Sequence, residues 1–289
     1  MKAIRRPLLR YYGSKWTLAP WIIENFPDHD GYVEPFAGAA AVLLRKRPEP
    51  IEVYNDADGE VVNLFRVMRE QPEQLIRAIE LTPYAREELY TACYTPDGDP
   101  LERARRFYIR AWQGHGGARA QWRTGWRFQR SDNQRTPVVR DWNDNGRLND
   151  IAGRLKNVQI EHDDAFAIIE RFDAPGTLFY CDPPYMPDTR SERWRSKGYA
   201  VEFSVEQHEQ LASILSDIDG MAIVSGYPSP EYAEWYAGWT MLSKTARVDP
   251  RNKAPRGDKR WNLATECLWL SPRAAARARQ TPLLEVVSA

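Results

Sequence analysis

The sequence predicts an α/β fold: a mostly parallel sheet with helices between its strands, broken once by an insertion of different texture. Three observations lead there. Short apolar or alternating runs bounded by turn residues alternate with segments of helical periodicity, first over residues 31–70 and again from about residue 155. Strands separated by helices favour parallel pairing. Between these stretches, residues 101–147 carry eleven Arg and no Lys, in a chain whose 40 basic and 40 acidic residues cancel.

Residues 8–26, LLRYYGSKWTLAPWIIENF, read as a turn at 12–15 followed by a helix with Leu18, Trp21 and Ile22 on its apolar face. GYVEPFAGAAAVLLRK, residues 31–46, reads as a strand, a small-residue turn and an Ala-rich helix start. Gly38 can take a backbone angle that larger residues resist, so the turn is either a cofactor cradle or a tight structural turn. IEVYNDADGEVVNLFRVMRE, residues 51–70, repeats the unit, with Val61, Val62, Leu64, Phe65 and Met68 at helical spacing after Asn55, Asp56 and Asp58. An acid after the second strand of such a unit is where a nucleoside ribose is commonly held. Asp56 is therefore a ribose candidate, and capping of the next helix by Asp56 or Asp58 is the competing role.

After Pro83 the texture changes. Trp112, Trp122, Trp126 and Trp142 interleave with Arg119, Arg123, Arg127 and Arg130. That mixture suits contact with phosphates and stacking on bases; the alternative is a small domain with an aromatic core and a solvated Arg face. GHGG at 114–117 marks a loop between its halves.

From about 155 the α/β pattern returns. NVQIEHDDAFAII (157–169) reads as a strand, an acidic cluster and a helix, and TLFY (177–180) as a buried strand. SVEQHEQLASILSDI (204–218) reads as a helix capped by Ser204 and buried through Leu211, Ile214, Leu215 and Ile218. MAIVSGY (221–227) is a further strand, and after a basic loop at 249–260 ATECLWLSP (264–272) alternates like a last one.

Composition excludes several classes. Cys93, Cys181 and Cys267 are odd in number and form no CxxC pair, which argues against a disulfide scaffold or a zinc site and suits a reducing compartment. No apolar stretch approaches the ~20 residues that cross a bilayer, so the expectation is a cytoplasmic protein with no membrane partner. Zero net charge neither demands nor forbids nucleic acid.

The segment that asks for chemistry is DPPY, Asp182, Pro183, Pro184 and Tyr185, just past the TLFY strand. The exocyclic amine of a base is a poor nucleophile, because its lone pair is delocalised into the ring. A carboxylate accepting one N–H and a Pro-Pro backbone carbonyl accepting the other would hold the amine and let it become pyramidal as it attacks. An aromatic ring beside them would stack on a base turned out of the duplex. Cys181 precedes this group and reads as buried filler.

With DPPY stand RYYGSK (10–15), YVEPFAGAAAV (32–42), YNDAD (54–58), IEHDDAF (160–166) and TECLWLSP (265–272). In this order, with an insertion between them, they resemble the Dam-like, D12 class DNA adenine-N6 methyltransferases. DPPY alone leaves cytosine-N4, RNA-adenine and protein-amide methylation open. The resemblance implies a Rossmann-like methyltransferase sheet with an antiparallel C-terminal strand, split as residues 1–83 and 155–289, and a mainly helical DNA-recognition insertion at 84–154. It implies S-adenosyl-L-methionine as cofactor and no metal, with Tyr11, Lys15, Glu34, Phe36, Gly38, Asp56 and Asp164 around it, Lys15 near its carboxylate end. Asp163 is the neighbouring alternative to Asp164. Asp182 to Tyr185 are the implied catalytic group, and Arg119, Trp122, Arg123, Trp126, Arg127 and Arg130 the candidate DNA contacts. Double-stranded DNA is the implied partner, a cognate restriction endonuclease is left open, and a monomer or weak dimer is expected. At Ala40 this chain departs from a pattern that is often Gly, which bears on how closely the turn approaches the cofactor.

Overall fold

A computed structural model of the chain describes residues 3–95, 97–115, 124–129, 137–186, 201–247 and 263–280. One sheet runs in the order β3-β2-β1-β4-β5-β7-β6. Its strands are β1 (Gly31–Glu34), β2 (Ile51–Asn55), β3 (Val158–Glu161), β4 (Thr177–Cys181), β5 (Met221–Gly226), β6 (Thr240–Arg247) and β7 (Leu263–Leu270). β1 to β5 pair in parallel, and β7 is antiparallel to both β5 and β6. The chain therefore runs outward from β1 through β2 to β3, then returns to lay β4 on the other side of β1. Such a reversal opens a crevice at the carboxyl ends of the strands. Glu34, Asn55 and Asp182 all stand at or just past those ends.

Successive strand residues face opposite ways, and the sequence uses both faces. Tyr32, Tyr54, Leu178, Tyr180 and Ile223 join one core, while Val33, Val53, Phe179, Cys181 and Val224 join the other. The first is covered by α1 (Ala19–Glu24), α2 (Gly59–Glu70), α3 (Pro72–Leu81), α4 (Arg86–Tyr94), α5 (Pro100–Gln113), α6 (Val138–Asn143) and α7 (Arg147–Leu155), and by the C-terminal helix α11 (Pro272–Gln280). The second lies under α8 (Ala165–Phe172), α9 (Val205–Asp217) and α10 (Pro230–Trp235). Caps set the helix starts: the Asp58 carboxylate accepts the Glu60 N–H, and Ser204 and Gln207 form a reciprocal capping box.

Two local expectations differ from the structure, and one strand, β6, has no counterpart among them. The Ala-rich stretch after Gly38 is a run of irregular turns, because the Leu43 N–H donates to the Glu34 carboxylate at 2.7 Å in place of a carbonyl one turn back. Strand β6 carries a weak pattern, TMLSKTAR, since among the described residues it pairs with β7 alone, at the sheet edge, and leaves Met241 54% exposed. Trp112 and Trp142 are core residues and not stacking platforms for bases. Both are buried, with their indole N–H groups donating to the Leu8 and Thr82 carbonyls at 2.9 and 3.0 Å. Helices α4 to α7 make the described part of the insertion helical, and Phe107, Trp142 and Leu148 belong to the same core as the sheet.

Candidate active site

Tyr11, Lys15, Glu34, Phe36, Gly38, Asp56 and Asp164 all line one cleft, enclosing about 1030 Å³ counted out to its mouth, together with Asp182 and Pro184. Its floor is the turn after β1. Gly38 adopts φ +49°, and a Cβ there would meet the Tyr11 ring at 3.1 Å, so a side chain would be strained by the backbone angle and would have to displace the ring. Ala40 also takes a left-handed φ of +51°, a strained choice for a residue with a side chain. Glu34 holds this turn from below. It is buried, one oxygen accepts both the Tyr32 hydroxyl at 2.6 Å and the Leu43 N–H, and burial pushes its carboxyl up to about 7.

The second wall comes from the end of β2. Asp56 accepts the Gly38 N–H on one oxygen and the Asp58 N–H on the other, each at 2.8 Å, and burial pushes it up to about 6. It thus braces the turn, while Asp58 supplies the helix cap. Each carboxylate oxygen keeps a further lone pair, so a ribose diol can still be accepted. Asn55, fully buried, stitches three loops: its amide donates to the Pro35 carbonyl at 2.9 Å and the Asp163 carbonyl at 3.1 Å, and accepts the Asp163 N–H at 2.9 Å. Asp164 caps α8 and lines the cleft, whereas the Asp163 carboxylate turns to Arg171 at 2.7 Å and is not a lining residue. Phe203, absent from the sequence expectations, closes this end with its ring edge-on to Phe36 at 5.2 Å.

At the head of the cleft, Lys15 donates to both oxygens of Asp182, at 2.7 and 2.8 Å. The side chains are 7% and 18% exposed, so the pair is screened yet reachable. Burial pushes the Asp182 carboxyl up to about 6, opposed by the Lys15 ammonium and assisted by the Glu266 carboxylate. Pro183 and Tyr185 are not among the lining residues. The Tyr185 ring is buried, with its hydroxyl donating to Glu266, the Lys15 ammonium 4.6 Å from its centroid, and Tyr227 edge-on at 4.6 Å. His208 of α9 fixes the loop from the other side. A carbonyl can only accept, so Nε2 carries the proton shared with the Pro184 oxygen at 3.0 Å, which leaves Nδ1 to accept the Tyr232 hydroxyl at 2.9 Å. Cys181 is fully buried and burial raises its thiol far from the thiolate range, as suits a packing role.

Of the candidate DNA contacts, Arg119, Trp122, Arg123 and Arg130 lie outside the described residues, as do the loop at 249–260 and the last two residues of GHGG. Trp126 and Arg127 sit where the chain doubles back beside the end of α5: Gly114 bridges Trp126, His115 N–H donates to the Gly125 carbonyl at 2.9 Å and Arg127 N–H to the Gln113 carbonyl at 2.8 Å. The Arg127 guanidinium donates to the Trp112 carbonyl at 3.0 Å. Trp126 packs on Tyr84 and stacks with Phe128, with Arg86 4.9 Å above its ring. Other arginines of the segment pair internally, Arg105 with Glu102 and Glu88, and Arg106 with Glu102. Among the described residues no helix is long and apolar enough to cross a membrane.

The family model described as D12 class N6 adenine-specific DNA methyltransferase matches residues 11–249. Among curated proteins, the chain is 28% identical over 274 residues to the Type II methyltransferase M1.LlaDCHI of Lactococcus lactis subsp. cremoris, covering 87% of this chain and 92% of that one. It is 20% identical over 275 residues to the DNA adenine methylase of Serratia marcescens, covering 86% and 93%, and 23% identical over 248 residues to that of Salmonella typhi, covering 80% and 84%.

Proposed function

The chain belongs to the D12 class of N6 adenine-specific DNA methyltransferases, and from that premise we propose that its cleft holds S-adenosylmethionine and that Asp182 holds the target adenine amine. The observation that carries this reading is the convergence of Gly38, Asp56, Asp164 and Asp182, distant in sequence, on a single cleft. The residues suit the cofactor: a close-approach turn, a carboxylate with free lone pairs for a ribose, and acids at both ends for a cationic ligand. When bound, S-adenosylmethionine supplies an electrophilic methyl group.

The chain's own part is orientation and proton handling. Asp182 accepts one N–H of the adenine amine, which favours the pyramidal, nucleophilic form and is strongest as charge develops on nitrogen. As the amine lone pair becomes the new N–C bond, one hydrogen leaves as a proton, and Asp182 Oδ is placed to receive it through the hydrogen bond already formed. The amine reaches this depth only if the adenine leaves its stack in double-stranded DNA. The insertion at 84–154 is the proposed DNA-recognition region, with its base-reading residues sought among Arg119, Trp122, Arg123 and Arg130.

Single-turnover transfer from labelled S-adenosylmethionine to unmethylated genomic DNA tests the assignment. Asp182→Ala is expected to lower the rate about a hundredfold while the Kd for cofactor and for DNA change little. Transfer at the wild-type rate by the folded variant would remove Asp182 from the reaction.

A further inference from the structure

Three groups of the site converge on one oxygen that the reaction as described does not use. Oε1 of Glu266, on β7, accepts the Tyr185 hydroxyl and, at 2.7 Å, the Ser225 hydroxyl, and lies 3.8 Å from the Lys15 ammonium. Glu266 is 5% exposed. A carboxylate withdrawn from water is costly unless such partners are present, and an apolar side chain opposite a phenylalanine would fill the same space without that cost.

We propose that Glu266 is a positioning residue for methyl transfer, fixing the Tyr185 ring through its hydroxyl and receiving the Lys15 ammonium when the target amine takes its place at Asp182. The proposal rests on the reading of Asp182 as the acceptor for that amine. Lys15 engages both Asp182 oxygens at 2.7 and 2.8 Å, so an arriving amine competes with it directly. A buried ammonium that left its carboxylate for nothing would oppose binding. Glu266 provides the exchange: a movement of about 1 Å brings Lys15 into hydrogen-bond range of Oε1. The path runs across the Tyr185 ring, whose face already lies 4.6 Å from the ammonium. Because the Tyr185 hydroxyl is tied to the same oxygen, the ring stays in place while the cation shifts.

The titratable groups around Asp182 are Lys15 and Tyr185 beside it, Glu266 from β7, Glu34 from β1, Tyr180 and the buried Cys181 thiol from β4, and Tyr227 after β5. Of these, Glu266 and Lys15 act on its charge most strongly after burial itself, in opposite directions. Neutralising Glu266 removes an opposing charge and leaves Lys15 committed to Asp182, so both effects favour the ionised form.

The test is single-turnover transfer to unmethylated genomic DNA across pH 5 to 9, with the full-length protein carrying Glu266→Gln, and Asp182→Asn run beside it. The amide keeps an acceptor for the two hydroxyls and loses the charge. The expected result is a plateau rate lower by about tenfold, cofactor and DNA Kd within about threefold of wild type, and an acid limb displaced to lower pH. A wild-type rate with an unmoved limb overturns the proposal. So does a parallel loss of rate, both affinities and melting temperature, which marks a merely structural residue. If Glu266→Gln does not fold, Ser225→Ala and Tyr185→Phe each remove one hydroxyl from Oε1; a severalfold rate loss at preserved affinity supports the proposal, and wild-type rates in both overturn it. A wild-type rate in Asp182→Asn instead removes the underlying reading of Asp182, whereas a slow Asp182→Asn beside an unaffected Glu266→Gln removes only the role given to Glu266.

Discussion

The cleft and the helical insertion are built from the same kinds of polar side chain and use them in opposite ways. At the strand ends, Asp56, Asn55 and Glu34 spend hydrogen bonds on backbone N–H and carbonyl groups, holding loops in shape while carboxylate lone pairs still face the cleft. In the insertion, Arg105, Arg106 and Arg127 spend their donors on neighbouring carboxylates and carbonyls, and Trp112 and Trp142 sink into the core. Residue type alone does not separate the two; the availability of an internal partner does. An Arg beside an acid one helical turn away is taken, whereas a carboxylate whose neighbours are backbone amides keeps capacity for a ligand.

Four measurements would break or sharpen that contrast. The largest effect is expected in the insertion: Trp142→Ala removes a buried ring and its hydrogen bond to Thr82, and should cost about 3 to 5 kcal/mol in urea unfolding. A loss below 1 kcal/mol would return Trp142 to the list of DNA-facing rings. Next, Asp56→Ala should weaken S-adenosylmethionine binding by about 1 to 3 kcal/mol in a titration of the folded protein; unchanged affinity would make Asp56 a brace alone.

Third is pH. Burial holds Asp56 at about 6 and Glu34 at about 7, both above their unfolded values. In the protein without cofactor their contribution to stability is present at acid pH and is lost as pH rises through those values, because the native state binds more protons. A cationic ligand and ribose hydroxyls favour the ionised forms, so cofactor affinity should rise between pH 5.5 and pH 7.5, and the gain in melting temperature on adding cofactor should be larger at pH 7.5. Affinity that is flat over this range would separate both carboxylates from the ligand. The smallest effect is expected for Phe128, which is 39% exposed beside Trp126. Phe128→Ala should change stability by less than about 0.5 kcal/mol, so any loss of DNA affinity it causes, read by titration at two salt concentrations, would assign this edge of the insertion to the DNA surface.

The fold was legible where pattern is local. Strand, turn and helix follow one another within twenty residues around Asp56, and apolar periodicity marks each piece. Asp182 was legible because a Pro-Pro step after an apolar strand fits no regular element. What escaped depends on partners far along the chain. Nothing near Asn55 announces that its amide will bind Asp163, 108 positions later, and His208 looks like any helix residue until Pro184 and Tyr232 are set beside it. The irregular turn after β1 escaped because helix propensity favours Ala, and only the buried Glu34 diverts the Leu43 N–H. Edge strand β6 escaped because it has one neighbour and little apolar alternation.

The position of β7 sets when this molecule can finish assembling. β6 is synthesised before β7 yet pairs with nothing else in the sheet, and β5 has its second neighbour only in β7. Until β7 emerges and slides between them, the nascent chain carries the open edge of β5 and an unpaired β6, the kind of surface that invites pairing with other chains. Lys15 and Glu266 are roughly 250 residues apart, so at about 5 to 20 residues per second the lysine leaves the ribosome tens of seconds before the acid it faces. The pairing of Lys15 with Glu266 at the head of the cleft thus forms well after the residues of β1 and β2 have emerged. The interval before it is when chaperones, or aggregation, have most opportunity to act.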